Sequence, residues 1–254
     1  MYWRKNIVIL CVAITILGTS LPARADDDQS ASETVERIAS LLVAKSSIAT
    51  ITMQISNETG THDLTMKVWS AGGEDVLLRI LTPPAEANTA VLKMGNDVWY
   101  YLPKTNRTVK VPSAMTMNTW MGSDFTVDDL VKESLLTRDY TITNSFHGDR
   151  GGVAVDEYTL TPKADAAVVY GKIILQVRRD NQMPVWQRYY DEDGKLVREL
   201  TFSDYKTMGG RLIPTRLLMR PTDKPGAQTV IIYDDITFDV SITDGTFAVN
   251  NLPR

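Results

Sequence analysis

Near Ala49 the hydrophobic period of the chain changes from that of a helix to two, and it stays at two almost to the end. Leu64, Met66 and Val68 alternate with Asp63, Thr65 and Lys67, and Val76, Leu78 and Ile80 alternate with Leu77, Arg79 and Leu81. Val98, Tyr100 and Leu102 alternate with Trp99 and Tyr101. The pattern resumes in segments 140–147, 153–161, 172–179, 185–191, 195–205, 217–220 and 229–238. Turn-forming residues punctuate it, and Asp193-Gly194 and Gly209-Gly210 read as hairpin turns. About eleven strands with short links and no βαβ rhythm predict an antiparallel sheet in one domain. So many strands in an open, flat sheet would expose pairing edges, so a strongly curved sheet wrapped around helices is expected.

Ahead of the strands, Ser30-Ala31-Ser32-Glu33 has capping-box spacing. Val35, Ile38, Ala39, Leu42 and Val43 follow at helical spacing, so one amphipathic helix is expected there. Further upstream, Arg4 and Lys5 precede an apolar run from Ile7 to Leu17, and Ala23-Arg24-Ala25 follows. This is the order of a secretory signal peptide, and the run is shorter than the roughly 20 residues a membrane-spanning helix needs. Residues 1–25 are therefore expected to be cleaved after Ala25, leaving a 26–254 domain in the periplasm or outside the cell. Cys11 is the single cysteine and would leave with the signal. It lies inside the apolar run, the wrong place for lipid attachment. The Asp26-Asp27-Asp28 run would form a solvated tail.

The segment between the two strand-rich halves is the least ordinary. Met115, Met117, Trp120, Met121 and Phe125 crowd a short stretch, and Thr126 and Asp129 have capping-box spacing for a short helix ending near Ser134. Methionine is soft and unbranched and suits surfaces that accept variable apolar shapes. These residues read either as permanent core or as an adaptable lid over an apolar cavity.

Catalytic chemistry finds little to work with. The chain has two histidines, His62 and His147, and neither lies near a nucleophile elbow. No zinc, P-loop or dinucleotide motif occurs. Asp124, Asp128 and Asp129 cluster without the spacing of a calcium loop. A formal charge of −4 argues against a nucleic-acid binder. No catalytic residues, metal or cofactor are expected.

Gly95-Asn96-Asp97-Val98-Trp99-Tyr100-Tyr101-Leu102-Pro103 and Glu157-Tyr158-Thr159-Leu160-Thr161-Pro162-Lys163 resemble segments of LolA-type periplasmic lipoprotein carriers. Trp120-Met121-Gly122-Ser123-Asp124-Phe125, followed by Asp128-Asp129-Leu130, resembles the LolA-like outer-membrane lipoprotein-sorting branch. The resemblance implies an unclosed β-barrel whose helices lid a hydrophobic cavity. It also implies acyl chains of lipoproteins or free lipids as cargo, an inner-membrane exporter and an outer-membrane acceptor as partners, and only transient membrane contact. The founding carriers hold the lid through an arginine in a Lys-Arg-Pro strand. Arg79 is the nearest candidate here, without that motif.

On this reading the lipid-binding candidates are Leu64, Met66, Val68, Val76, Leu78, Ile80, Trp99 and Tyr101 from the strands. Met115, Met117, Trp120, Met121 and Phe125 are the candidates from the insertion. Alternation places residues on a common face of each strand but leaves open which face is concave. Two other readings are a protein-interaction module on the same scaffold, with a filled interior, and a hydrolase with a polar cleft.

Overall fold

The computed structural model describes residues 23–131, 136–166 and 168–253. The apolar run Ile7–Leu17 and Ser134 lie outside the described residues. Helix α1 (Ala23–Ala39) leads into β1 (Ser46–Asn57), β2 (Gly60–Ala71), β3 (Asp75–Thr82), β4 (Ala90–Met94), β5 (Asp97–Leu102) and β6 (Arg107–Val111). An insertion carrying α2 (Val127–Val131) and α3 (Leu136–Asp139) follows. The chain then runs through β7 (Tyr140–Arg150), β8 (Val153–Pro162), β9 (Lys172–Arg178), β10 (Pro184–Tyr190), β11 (Leu196–Met208), β12 (Arg211–Pro221) and β13 (Gln228–Phe238).

All thirteen strands join one antiparallel sheet that is not closed into a barrel, in the order β6-β5-β4-β3-β2-β1-β13-β12-β11-β10-β9-β8-β7. The architecture expected from the alternation is therefore present, with two strands more than the pattern revealed. β4 lacks alternation because four of its five residues are buried, on both faces. β6 lacks it because four of its five residues are exposed. The first and last strands meet at the centre of the sheet, and each half is a meander running outward from that seam. The two free edges are consequently β6 and β7, which are consecutive in the chain. The insertion that links them runs from one open edge to the other.

Helix α1 packs against β7 and α3. Its described residues include the expected cap position Ser30, which lies within the helix, and it ends at Ala39. Ser30 instead accepts a hydrogen bond from the Thr34 hydroxyl within the helix. The Asp26–Asp28 segment, expected as a frayed tail, is helical. Val35 and Ile38 are buried as the helical stripe requires, whereas Leu42 and Val43 fall in the turn beyond the helix.

Parity within the sheet is now fixed. Ala49, Ile51, Met53 and Ile55 of β1 face the main core, paired across from Val68, Met66, Leu64 and His62 of β2. Val68 and Met66 sit beside Leu78 and Ile80 of β3. The hairpin between β11 and β12 turns at Gly209 and Gly210, both at positive φ. A Cβ at Gly209 would come within 2.8 Å of the Phe238 ring and 2.9 Å of the Ile236 carbonyl, so only glycine fits.

A second cluster lies away from the main core. Leu77, Ala90, Leu92, Tyr101 and Leu252 form it, with Trp69, Trp99 and Phe247 packed around them. The C-terminal segment thus covers part of the sheet opposite the main core, and Leu252 is 1% exposed. Truncating Leu252 to alanine should cost about 2–3 kcal/mol, the usual loss for a buried leucine. Urea unfolding of the variant measures this, and a normal midpoint would mean that the C-terminal segment is not part of the folded unit.

Candidate functional site

The concave side of the sheet is filled at one end and hollow at the other. Met53, Ile55, Leu64, Met66 and Ile80 are fully or almost fully buried and pack as solid core. One turn of alternation further along the same strands, Ala49, Ile51, Val68, Val76 and Leu78 line a cavity of about 560 Å³. Its far wall comes from β9 to β13, including Leu175, Leu200, Leu217, Met219 and Ile231. Its cover comes from the end of α1 and the residues just after it (38–43), from α2 and α3, and from the insertion residues Met117 and Phe125. A volume in this range, roughly 300–1,000 Å³, suits one small-molecule ligand or acyl tail.

The cavity has a polar pole at α2 and α3. Asp129 starts α2 through a reciprocal capping box. Its Oδ2 accepts the Thr126 N–H and hydroxyl, each at 2.8 Å, and its own N–H donates to Thr126 Oγ1 at 3.0 Å. The same carboxylate receives both terminal nitrogens of Arg198 on β11, Nη1 to Oδ2 at 2.7 Å and Nη2 to Oδ1 at 2.8 Å. Arg198 is 8% exposed, and its guanidinium lies over the rings of Tyr189 and Tyr170, 4.4 and 5.0 Å from their centroids. The two rings contact each other at 4.8 Å.

This pair ties the insertion to the sheet. Burial by itself would raise the Asp129 pKa, but the hydrogen bonds and charge of Arg198, with those of Thr126, hold it below the usual carboxylate range. Burial likewise pushes the Tyr170 hydroxyl up to about 12, so it stays protonated at physiological pH. A second tie lies at Asp124, whose Oδ2 accepts the hydroxyl of fully buried Thr229 on β13 at 2.8 Å. The Asp124 N–H donates back to Thr229 Oγ1 at 2.9 Å. The acidic cluster of the insertion thus fastens it to two strands, and among the described residues no acidic or histidine cluster is arranged to hold a metal ion.

The sequence candidates separate into distinct groups. Val68, Val76, Leu78, Met117 and Phe125 line the cavity. Leu64, Met66, Ile80 and Trp120 lie in the solid core beyond it, and Met121 packs against that core from a positive-φ turn. Met115 is 52% exposed and lies outside the cavity lining. Two expectations are corrected by strand parity. Trp99 and Tyr101 face the opposite side of β5 from Val98 and Tyr100, where they pack in the cluster around Leu252. Arg79 also faces that side, and its Nη2 donates to the Leu252 carbonyl at 2.9 Å instead of reaching the insertion. Arg198 holds the insertion instead. It sits at an inward position of the β11 alternation, in line with Leu200, and a charge at such a position is the signal that could have found it.

His147 is on the surface, with Nδ1 2.7 Å from Asp156 and Nε2 facing the Arg179 guanidinium at 2.6 Å. Both ring nitrogens are thus engaged by charged neighbours, and no hydroxyl or thiol nucleophile is among them.

A family model described as "-like: Uncharacterized protein" matches residues 72–254. The chain belongs to that family. Its fold is LolA-like, as three solved structures make plain. An outer membrane lipoprotein-sorting protein domain from Vibrio parahaemolyticus is 23% identical, with 89% of this chain and 100% of that one covered and a TM-score of 0.76. A DUF1329 family protein from Desulfovibrio piger is 20% identical over 89% and 99% of the two chains, with a TM-score of 0.77. A LolA superfamily protein from Nitrosomonas europaea is 20% identical over 85% and 96%, with a TM-score of 0.71. No curated protein sequence matches significantly. The LolA-like resemblance seen in the sequence thus holds at the level of the fold.

Two predictions follow the distinction between core and latch. Trp120→Ala should destabilise the protein by about 3–5 kcal/mol, whereas Met115→Ala should stay within about 0.5 kcal/mol. Chemical denaturation distinguishes them, and equal effects would contradict the division of the insertion drawn above. Asp129→Asn should cost about 3 kcal/mol or more, because it leaves a buried guanidinium without its counter-charge. A depressed carboxylate contributes stability above its unfolded pKa and loses it as the pH falls through the folded value. The gap between wild type and Asp129→Asn should therefore be constant from pH ~8 to ~5 and shrink only below about 4. Urea midpoints across that series test the sign.

Proposed function

We propose that this chain is a periplasmic carrier that shelters the acyl chains of lipoproteins or free lipids in its cavity for transfer towards the outer membrane. The observation that carries the reading is the hollow half of the concave face: a space of about 560 Å³, apolar over most of its wall apart from the pole at α2 and α3, inside an otherwise close-packed sheet. Natural interiors rarely leave such a volume unfilled without use for it. Residues 1–25 would act as the signal peptide and residues 26–254 as the carrier. An inner-membrane exporter would load it and an outer-membrane acceptor would unload it.

The energetics suit such a role. An acyl chain of about 15 methylenes gains roughly 12 kcal/mol on leaving water, at ~0.8 per methylene. Moving it unaided through water is therefore prohibitive. A bilayer and an apolar cavity offer similar burial, so transfer between them is nearly balanced and donor and acceptor set the direction. The lining needs to be apolar and adaptable rather than sharply complementary, as Met117, Met219 and the surrounding leucines and valines are. The Arg198–Asp129 pair would hold the cover shut over the cargo and release it when the pair parts.

Filling the cavity tests the reading. Ala49 is 4% exposed and lines the hollow. Ala49→Phe places its ring in empty space, so it should fold with little loss, where overpacking a filled core costs about 1–3 kcal/mol. It should abolish protein-accelerated transfer of a pyrene-labelled diacylglycerol between donor and acceptor vesicles. Transfer at the wild-type rate by a folded Ala49→Phe protein would contradict carriage in this cavity.

A further inference from the structure

Among the described residues ten polar or charged side chains are buried, and nine of them have a hydrogen-bond partner. Gln176, for instance, donates to Glu157 at 2.9 Å, and Thr215 to the Asp204 carbonyl at 2.6 Å. Gln187 on β10 is the exception. It is 8% exposed, and neither its amide oxygen nor its amide nitrogen is hydrogen-bonded within the described chain. The amide opens on the cavity instead of being sealed in protein. Gln187 stands between Leu175 of β9 and Leu200 of β11, which line the same hollow.

An amide held away from water without a partner is costly, and a leucine would fill the same place in an apolar wall without that cost. A buried polar group of this kind calls for an explanation. The next inward residue along β10, about 7 Å away, is Tyr189. Its hydroxyl also has no hydrogen-bond partner and reaches the cavity. Burial raises its pKa, so it stays protonated. Arg198, across from Tyr189 on β11, is already taken by Asp129. The spare groups on this stretch of wall are therefore uncharged, and Gln187 offers both a donor and an acceptor. An ester carbonyl only accepts, and would leave the Gln187 oxygen stranded. A hydroxyl both donates and accepts.

Resting on the carrier reading, we propose that Gln187, with Tyr189 beside it, is a hydrogen-bonding subsite in the cavity wall for a lipid that carries a hydroxyl group on its hydrocarbon chain. The hydroxyl would donate to Gln187 Oε1 and accept from the Tyr189 hydroxyl. An unsubstituted chain would press methylenes against the amide and strip it of water with nothing in return. The subsite thus adds selectivity to a cavity whose other strand-borne walls accept any apolar chain.

The test measures displacement of a bound apolar fluorophore from wild type and from Gln187→Leu. The probes are methyl myristate and two hydroxylated forms of it, one with the hydroxyl beside the ester and one with it at mid-chain, all delivered from cyclodextrin. For at least one hydroxylated ester, the affinity relative to methyl myristate should fall about tenfold from wild type to Gln187→Leu, as expected when a buried hydroxyl loses its partner. The hydroxyl's own preference for water is common to both proteins and cancels in this comparison. Because the wild-type amide has no partner to lose, Gln187→Leu should also melt a few degrees above wild type. A lower melting temperature would mean that Gln187 holds the fold together, and would overturn the subsite. Unchanged relative affinity for both hydroxylated esters, with methyl myristate still bound, would overturn the subsite and leave the carrier standing. Failure of all three esters to displace the fluorophore from either protein would overturn the subsite and the carrier together.

Discussion

A curved antiparallel sheet that stops short of closure carries two liabilities, a pair of unpaired edges and an apolar inner face, and most of this chain's irregular features answer one or the other. At the β6 edge nearly every residue is exposed, and Arg107 and Lys110 are among them. The β7 edge has a register break between Asn144 and Phe146, with Arg150 stacked 3.6 Å over the Phe146 ring. Charges and bulges of this kind discourage pairing with a second sheet. Because β6 and β7 are consecutive in the chain, the segment between them is obliged to travel from one edge to the other. That topology supplies a cover for the inner face without a separate domain.

How firmly the cover sits depends on Arg198. A buried ion pair is seldom a net gain over a well-packed apolar pair, since both charges must leave water. Here the cost is offset by bidentate geometry, by the capping box that orients Asp129, and by the two tyrosine rings under the guanidinium. What an apolar contact would not supply is reversibility in a polar medium. A charged latch can part and be solvated, whereas the solid packing of Trp120 in the adjacent core favours staying in place. The insertion thus combines a packed plug at Trp120 and an ion-paired tie at Asp129 within a few residues.

Alternation made most of the fold legible. Residues such as Leu64, Met66, Val76 and Leu78 share an inward parity, and their strands follow from it. It failed where both sides of a strand are apolar. Val98 and Tyr100 face the core, but Trp99 and Tyr101 are equally hydrophobic because the C-terminal segment around Leu252 covers them. A covering segment more than a hundred residues away leaves no trace in the local period, and so Trp99, Tyr101 and Arg79 read as belonging to the cavity. β4 was hidden by the same cover. Arg198 was missed for the opposite reason: it stands at an inward position but carries a charge, and its partner lies on an element distant in sequence. Which part of the inner face is hollow depends on how far the insertion reaches, and that too is a property of the assembled sheet.

The central claim is that the hollow end of the sheet is kept for a lipid. Native mass spectrometry of the protein isolated without detergent from the cells that make it tests this most directly. The account predicts a population heavier than the bare polypeptide by the mass of one lipid, released on organic extraction and absent from Ala49→Phe. Bare polypeptide alone in every preparation, with the wild type and Ala49→Phe indistinguishable, would contradict it.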